Sequence, residues 1–469
     1  MAAWPALVDI PGRVRSGELT AVDLVEKALA TIEAKAEFNA IIATTAERAR
    51  ARAVAVDAGD NLGRLAGVPF IAKDNFLVFG AETTAASNML RGFNAPYQSR
   101  AIEKLEAEGA ICVAKANLDA FAHGSSTENS DYGTTLNPHD PSRVPGGSSG
   151  GSAAAVMLDM APFALGTDTG GSIRLPASYC GGVGLKPTYG LVSRSGVVAM
   201  ASSTDVIGVL TRTVPDAALV LDVMAGQDAY DSTTIEADQA GYAELSPPAT
   251  AKIGIVKEYM GDGLEPGVRQ QIERAIELLR AAGHEVTEVS LPSLPTALAV
   301  YYILCPAEVS SNLSRYDGQR FGHAYKDAAS LDESYGKSRS TGFGREAKRR
   351  IMIGTYVLSS GYYDAYYKKA QTVRTKLINE FNSAFEHVDF LIGPTAPSTA
   401  FKIGENSGDP LRMYLVDILT VAANLVGVPS ISVPAGLSDN LPIGLQIMAP
   451  QRADRSLLAL AAQAEGLLL

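Results

Sequence analysis

Cysteine and histidine are scarce in this chain, and several familiar chemistries go with them. The cysteines are three, Cys112, Cys180 and Cys305, each alone in apolar surroundings. That excludes a disulfide framework and a thiolate metal cluster, and it points to a reducing compartment. The five histidines are His123, His139, His284, His323 and His387, and none sits in a serine-glycine setting of the Ser-His-Asp kind. Long apolar runs are missing as well, so no stretch approaches the roughly 20 apolar residues of a membrane span. Pro5, Asp9 and Arg13 interrupt any leader-like run at the start, and the expected location is the cytoplasm, or an organellar matrix in a eukaryote. Positive charge is in short supply. A net charge of −11 suits this chain poorly for gripping a phosphate backbone on its own. No P-loop pattern occurs, which places nucleotide chemistry elsewhere.

Glycine and serine, by contrast, are concentrated in residues 145–172. One cluster reads Gly146-Gly147-Ser148-Ser149-Gly150-Gly151-Ser152, the other Thr169-Gly170-Gly171-Ser172. Between them the pattern predicts a small-residue helix over 152–159 and an apolar strand over 163–166. Glycine clusters let a backbone turn sharply and approach a ligand closely, because no Cβ obstructs either. Free N–H groups on such a turn form an anion-binding concavity. Ser172 therefore places a hydroxyl beside donors able to hold an oxyanion. A nucleophilic serine needs a base, and the best candidate is Lys73, which ends the apolar run Val68-Pro-Phe-Ile-Ala-Lys73. A lysine there is usually a snorkelling or surface residue. Desolvated, it falls well below its reference pKa of about 10.4 and can take a proton.

The string GGSSGGSAAAV, followed by LGTDTGGSIRLPASYCG and preceded by AKDN, resembles the amidase signature family. The resemblance implies a Ser–cis-Ser–Lys triad: Lys73 as general base, Ser148 as a bridging serine after a cis peptide bond, and Ser172 as nucleophile. It implies an oxyanion hole from the N–H groups of Thr169, Gly170, Gly171 and Ser172. It also implies an α/β amidase-signature fold, a large mixed β-sheet flanked on both faces by helices. One domain would cover residues 1–469, with a signature core at about 60–215 and a glutamine-pocket and partner-contacting portion at about 250–450.

Later segments narrow the resemblance to one branch of that family. They include Ile253-Gly-Ile-Val-Lys-Glu-Tyr259, Gly342-Phe-Gly-Arg-Glu-Ala-Lys-Arg-Arg-Ile-Met352 and Asp409-Pro-Leu-Arg-Met-Tyr-Leu415. In that branch the amidase chain is the glutamine-hydrolysing subunit of a tRNA-dependent amidotransferase. The resemblance implies that Tyr301, Arg350 and Asp417 hold glutamine, whose α-carboxylate needs a cation and whose α-ammonium needs an anion; a guanidinium fork suits the carboxylate. Tyr302 could stand in for Tyr301. The branch further implies ammonia transfer to a B subunit, where Glu-tRNA(Gln) or Asp-tRNA(Asn) is activated with ATP and Mg²⁺, and a small C subunit clasping the pair. No cofactor is expected in this chain, and tRNA contact is expected mainly through the B subunit. A stand-alone amidase for small amides and an inactive scaffold are the rival readings. Departures from the family pattern at Met157-Leu-Asp-Met160 and Val209 touch none of these residues.

The remaining pattern predicts an alternating, largely parallel α/β sheet. Thr20 and Asp23 have capping-box spacing, with Ala21, Leu24, Val25, Ala28 and Ile32 as an apolar stripe. Residues 46–57 read as a helix with Arg48, Arg50 and Arg52 on a solvated face, and Lys348 to Arg350 as a basic helix start. Residues 67–72 and 110–114 read as strands and 99–109 as a helix; 430–434 and 444–448 are further strands, and a last helix starts at Arg455. Residues 124–129 are a polar loop that resembles a pocket-lining segment. His123 reads as a hydrogen-bonded structural histidine, and Asp168 as a group orienting the glycine turn. Tyr356, Tyr362, Tyr363, Tyr366 and Tyr367 are expected along one long helix, serving packing and partner contact.

Overall fold

The structure, a computed structural model, describes residues 4–469. Eleven strands form one sheet: β1 (Ile41–Thr44), β2 (Pro69–Lys73), β3 (Ile111–Ala116), β4 (Phe163–Asp168), β5 (Val183–Lys186), β6 (Val206–Thr211), β7 (Lys252–Val256), β8 (Glu285–Val289), β9 (Phe390–Pro394), β10 (Ser430–Ser438) and β11 (Leu441–Met448). Their order across the sheet is β1-β3-β2-β4-β6-β5-β10-β11-β9-β7-β8. The sheet is mixed, but the largely parallel expectation fails. Only β2 with β3 and β4, and β7 with β8 and β9, run parallel, while the six other pairings are antiparallel. Two parallel units thus flank an antiparallel centre. The β10–β11 hairpin shows why: Asp439 and Asn440 both take positive φ, 49° and 63°, and Ser438 pairs with Leu441. A two-residue turn of that kind matches the strand twist and returns the chain antiparallel.

Successive strand residues face opposite sides, and two cores result. Phe390 and Ile392 of β9 join the core built with helices Ala21–Ala34, Val214–Met224, Pro266–Ala281 and Asp454–Leu468. Leu391 between them joins the core built with helices Ala297–Asn312, Lys369–Phe385 and Val421–Val426. Helices therefore cover both faces of the sheet.

Local expectations mostly hold. The Thr20 hydroxyl accepts from the Asp23 N–H at 3.0 Å, and the five stripe residues are buried. Helix Ala46–Asp57 forms, but its arginines are not one solvated face. Arg48 grips the buried Glu106 carboxylate with both Nη atoms, at 2.5 and 2.7 Å, and Arg52 donates to the Glu106 carbonyl at 2.9 Å; only Arg50 stays in the open, paired with Glu26. The long tyrosine helix does not exist either. Helix Arg345–Leu358 carries Tyr356 in its last turn, Gly361 turns at φ 87°, and Tyr366 and Tyr367 lie in a wide π-turn at Asp364–Lys368 that leads into Lys369–Phe385. Among the described residues, no helix is long and apolar enough to cross a membrane.

Candidate active site

Two strand ends and two glycine turns meet at the edge of the parallel unit, where ligands sit in open α/β sheets. Strand β2 delivers Lys73 and its parallel neighbour β4 ends at Asp168, one residue before the Thr169–Ser172 turn. The first glycine cluster runs into helix Gly150–Met157, and the Gly147–Ser148 peptide is cis. The two turns are tied by the Ser149 N–H donating to the Ser172 carbonyl at 3.0 Å.

Lys73 is fully buried. Its Nζ lies 2.7 Å from Ser148 Oγ, 2.9 Å from Ser149 Oγ and 3.0 Å from Thr167 Oγ1, and it makes no ion pair among the described residues. Burial lowers its pKa to about 7, against an opposing pull from Asp119, Asp168 and Asp205. Two other buried lysines sharpen the point. Lys115 is equally buried but pairs with Asp74 at 2.5 Å. Lys186 on β5 is also lowered to about 7 by burial, yet among the described residues its amine meets only the Pro187 carbonyl, at 3.1 Å. Of the three, Lys73 alone faces two serine hydroxyls. The Lys73–Ser148 link is closed, whereas Ser172 Oγ makes no hydrogen bond to a described residue; such contacts commonly tighten only with substrate in place.

The Thr169–Ser172 turn is held from behind by an ion pair. Asp168 and Arg174 are both fully buried and meet at 2.9 Å. Arg174 also donates to the Thr420 carbonyl at 3.0 Å, Gln446 Oε1 at 2.6 Å and Asn424 Oδ1 at 2.6 Å. Arg174 and its companions hold the Asp168 carboxyl down to about 2 despite burial. Asp168 does orient the turn, since its carboxylate accepts from the Gly171 N–H at 2.8 Å. That bond corrects the donor set, because the Gly171 N–H is already engaged. The N–H groups of Thr169, Gly170 and Ser172 carry no such bond to Asp168. Glycine is required here sterically: a Cβ on Gly170 would lie 2.7 Å from the Tyr301 ring, and one on Gly171, at φ 140°, would lie 2.2 Å from Thr420 Oγ1.

Tyr301 thus packs directly on the turn, and the other two candidates for glutamine stand close by. Arg350 is only 3% exposed, although it belongs to the basic run at the start of its helix. Its Nε pairs with Glu346 at 2.9 Å, and its guanidinium lies over Tyr302 at 5.4 Å and Tyr414 at 5.8 Å. Asp417 accepts from Ser125 Oγ at 2.7 Å and from the Tyr302 hydroxyl at 3.3 Å. Burial raises its carboxyl to about 7. Tyr302 therefore joins the cation to the acid, while the ion pair of Arg350 is with Glu346 and not with Asp417. A cavity of about 220 Å³ has Arg350, Asp119, His123 and Ser126 in its wall. Asp119 braces the polar loop by accepting from the Thr127 and Asn129 N–H groups at 2.9 and 3.1 Å.

His123 departs from expectation. It is fully buried, but neither ring nitrogen has a hydrogen-bond partner among the described residues. Sequence pattern does not single out Ser149 and Thr167 on the lysine, Arg174 behind the turn, or Glu346 and Tyr414 around Arg350. Arg174 lies inside the quoted motif, and its position two residues after Ser172 was the available signal. No group of three or more His, Cys, Asp or Glu among the described residues could hold a metal ion.

A desolvated lysine bound to serine hydroxyls, beside a serine on a glycine turn with free N–H groups, has the parts of a serine hydrolase whose base is an amine. Residues 23–458 match the Amidase family, and the chain belongs to it. It is 51% identical over 456 residues to the glutamyl-tRNA(Gln) amidotransferase A subunit of Koribacter versatilis, covering 96% of this chain and 95% of that one. It is 52% identical over 437 residues to the protein of the same name from Caldanaerobacter subterraneus, covering 92% and 90%. The crystal structure of the glutamyl-tRNA(Gln) amidotransferase A subunit from Thermotoga maritima, at 41% identity, is similar with a TM-score of 0.79 over 95% of this chain and 91% of that one.

Proposed function

We propose that this chain is the glutaminase subunit of a tRNA-dependent amidotransferase, hydrolysing glutamine through a glutamyl ester on Ser172. The observation that carries the reading is the 2.7 Å contact between Lys73 and Ser148, in a site whose lysine gives up its charge at about pH 7. Neutral Lys73 takes the Ser172 proton through the Ser148 hydroxyl as Ser172 Oγ attacks the side-chain amide carbon. The oxyanion rests on the N–H groups of Thr169, Gly170 and Ser172, each such donor being worth roughly 10² to 10³ in rate. The proton returns to the leaving nitrogen, ammonia departs, and water cleaves the ester to glutamate and free Ser172. Arg350 binds the α-carboxylate and Asp417 the α-ammonium, with Tyr301 forming the wall between them and the turn. The whole chain acts as one amidase unit, with chemistry in about 60–215 and the glutamine pocket and partner contacts in about 250–450. Ammonia passes to a B subunit that uses ATP and Mg²⁺ on Glu-tRNA(Gln) or Asp-tRNA(Asn), and a C subunit completes a cytoplasmic heterotrimer. The high identity to the named proteins along nearly the full chain supports this assembly.

Replacing Arg350 by alanine tests the substrate. Truncating one partner of a buried charged contact costs about 2 to 5 kcal/mol, so kcat/KM for glutamine is expected to fall by roughly 30- to 5,000-fold. A small neutral amide such as propionamide should lose little. Equal losses on both would make the chain an ordinary amidase.

The base sets the pH profile. Lys73 is lowered from its ordinary value, so its reactive neutral form appears as pH rises through about 7. Below that, kcat should climb about tenfold per pH unit, and above it level off. Asp417 must ionise to hold the ammonium, so KM should fall over the same rise in pH. A kcat that declines as pH rises from 6 to 8 would remove Lys73 as base.

A further inference from the structure

We infer that His123 is a further substrate-binding residue, its imidazole N–H donating to the α-carboxylate of the amino-acid substrate beside Arg350. The inference rests on the glutaminase reading and deepens it.

Two independent observations meet here. The first is chemical. A neutral imidazole carries one donor and one acceptor, and a buried polar group left unpaired costs about 1 to 3 kcal/mol. Both ring nitrogens of His123 are buried and without a partner among the described residues. The bonds of the surrounding loop bypass the ring: Asp119 accepts from Thr127 and Asn129, and the Asn129 amide donates to the His123 carbonyl at 2.9 Å. The second is positional. His123 shares the wall of the 220 Å³ cavity with Arg350, and the guanidinium is near enough to act on the ring electrostatically. Burial and that cation both keep the imidazole neutral. A neutral N–H next to a fixed cation is a pair suited to one carboxylate: the guanidinium supplies charge and the imidazole a directional donor. The backbone gives the ring a fixed mounting, with the His123 N–H donating to the Ala120 carbonyl at 3.1 Å.

The test uses the full chain, with its partners where turnover needs them, and two substrates. Glutamine carries the α-carboxylate, whereas 4-aminobutanamide keeps the amide and the ammonium but lacks it. Losing a hydrogen bond to a charged group should raise the glutamine KM of His123→Met roughly tenfold or more, with kcat near wild type. Turnover of 4-aminobutanamide should be unaffected, and His123→Gln, which keeps a donor, should recover most of the glutamine affinity. Melting of His123→Met should be no lower than wild type, since an apolar side chain leaves no polar atom unpaired. Equal losses on both substrates, an unchanged glutamine KM, or a lower melting temperature without recovery in His123→Gln would each overturn the inference. Failure of the glutaminase reading looks different: wild type and Arg350→Ala would then handle glutamine alike.

Discussion

Substituting Ser172 with alanine is expected to abolish ammonia release from glutamine, by roughly 10⁴- to 10⁶-fold in kcat, as removal of a nucleophile does in other serine hydrolases. Glutamine binding should survive, because Ser172 contributes no side-chain hydrogen bond to the Arg350–Tyr302–Asp417 cluster. Ser148→Ala should approach the same loss, and the double variant should be little worse than either single one, since the two hydroxyls and Lys73 act as one unit. Ammonia assays on the purified variants, with glutamine binding measured by calorimetry, would check both halves. A Ser172→Ala protein with wild-type turnover would end the account of the turn as a nucleophile site.

The largest expected effect on stability comes from behind the turn. Arg174→Met leaves the Asp168 carboxylate buried without its cation, and it also strips the Thr420 carbonyl, Gln446 and Asn424 of a donor. Breaking one side of a buried ion pair costs about 3 to 5 kcal/mol, whereas replacing both partners by apolar groups is often nearly neutral. The loss here should reach that range, read as a shift of the urea midpoint. Asp168 is held at about 2 in the fold, below its ordinary value, so its stabilisation is present at neutral pH and fades as pH falls through about 4 towards 2. Arg174→Met should flatten that acid dependence. A variant with wild-type stability and an unchanged acid limb would mean that the pair contributes nothing net.

Much of the site was legible in the chain because its residues are close in sequence or locally patterned. Lys73 sits at the end of an apolar run, and an apolar run that becomes β2 must deliver its last residue to the sheet edge. Gly170 and Gly171 were readable because their Cβ-free approach to Tyr301 and Thr420 is a demand only glycine meets. What was not legible depends on pairing across the sheet. The direction of strands cannot be read from apolar runs alone, so the antiparallel centre and the Asp439-Asn440 turn that produces one of its hairpins emerge only in the fold. The environment of Arg350 was equally hidden. Lys348, Arg349 and Arg350 look alike in sequence, and only the packing of Tyr302 and Tyr414 on one of them separates a buried cation from its more exposed neighbours. The environment of Arg48 and Arg52 is hidden for the same reason, since Glu106 reaches them from another helix.

The central claim is that Ser172 carries the glutamyl group between ammonia release and hydrolysis. Acid-quenching the wild-type chain during turnover of glutamine, then mapping its peptides by mass, tests that claim most directly. A glutamyl ester on the peptide containing Ser172, absent from Ser172→Ala and from Lys73→Met, is the predicted result. Ammonia release with no adduct on any serine, or an adduct on another residue that persists in Ser172→Ala, would contradict the mechanism.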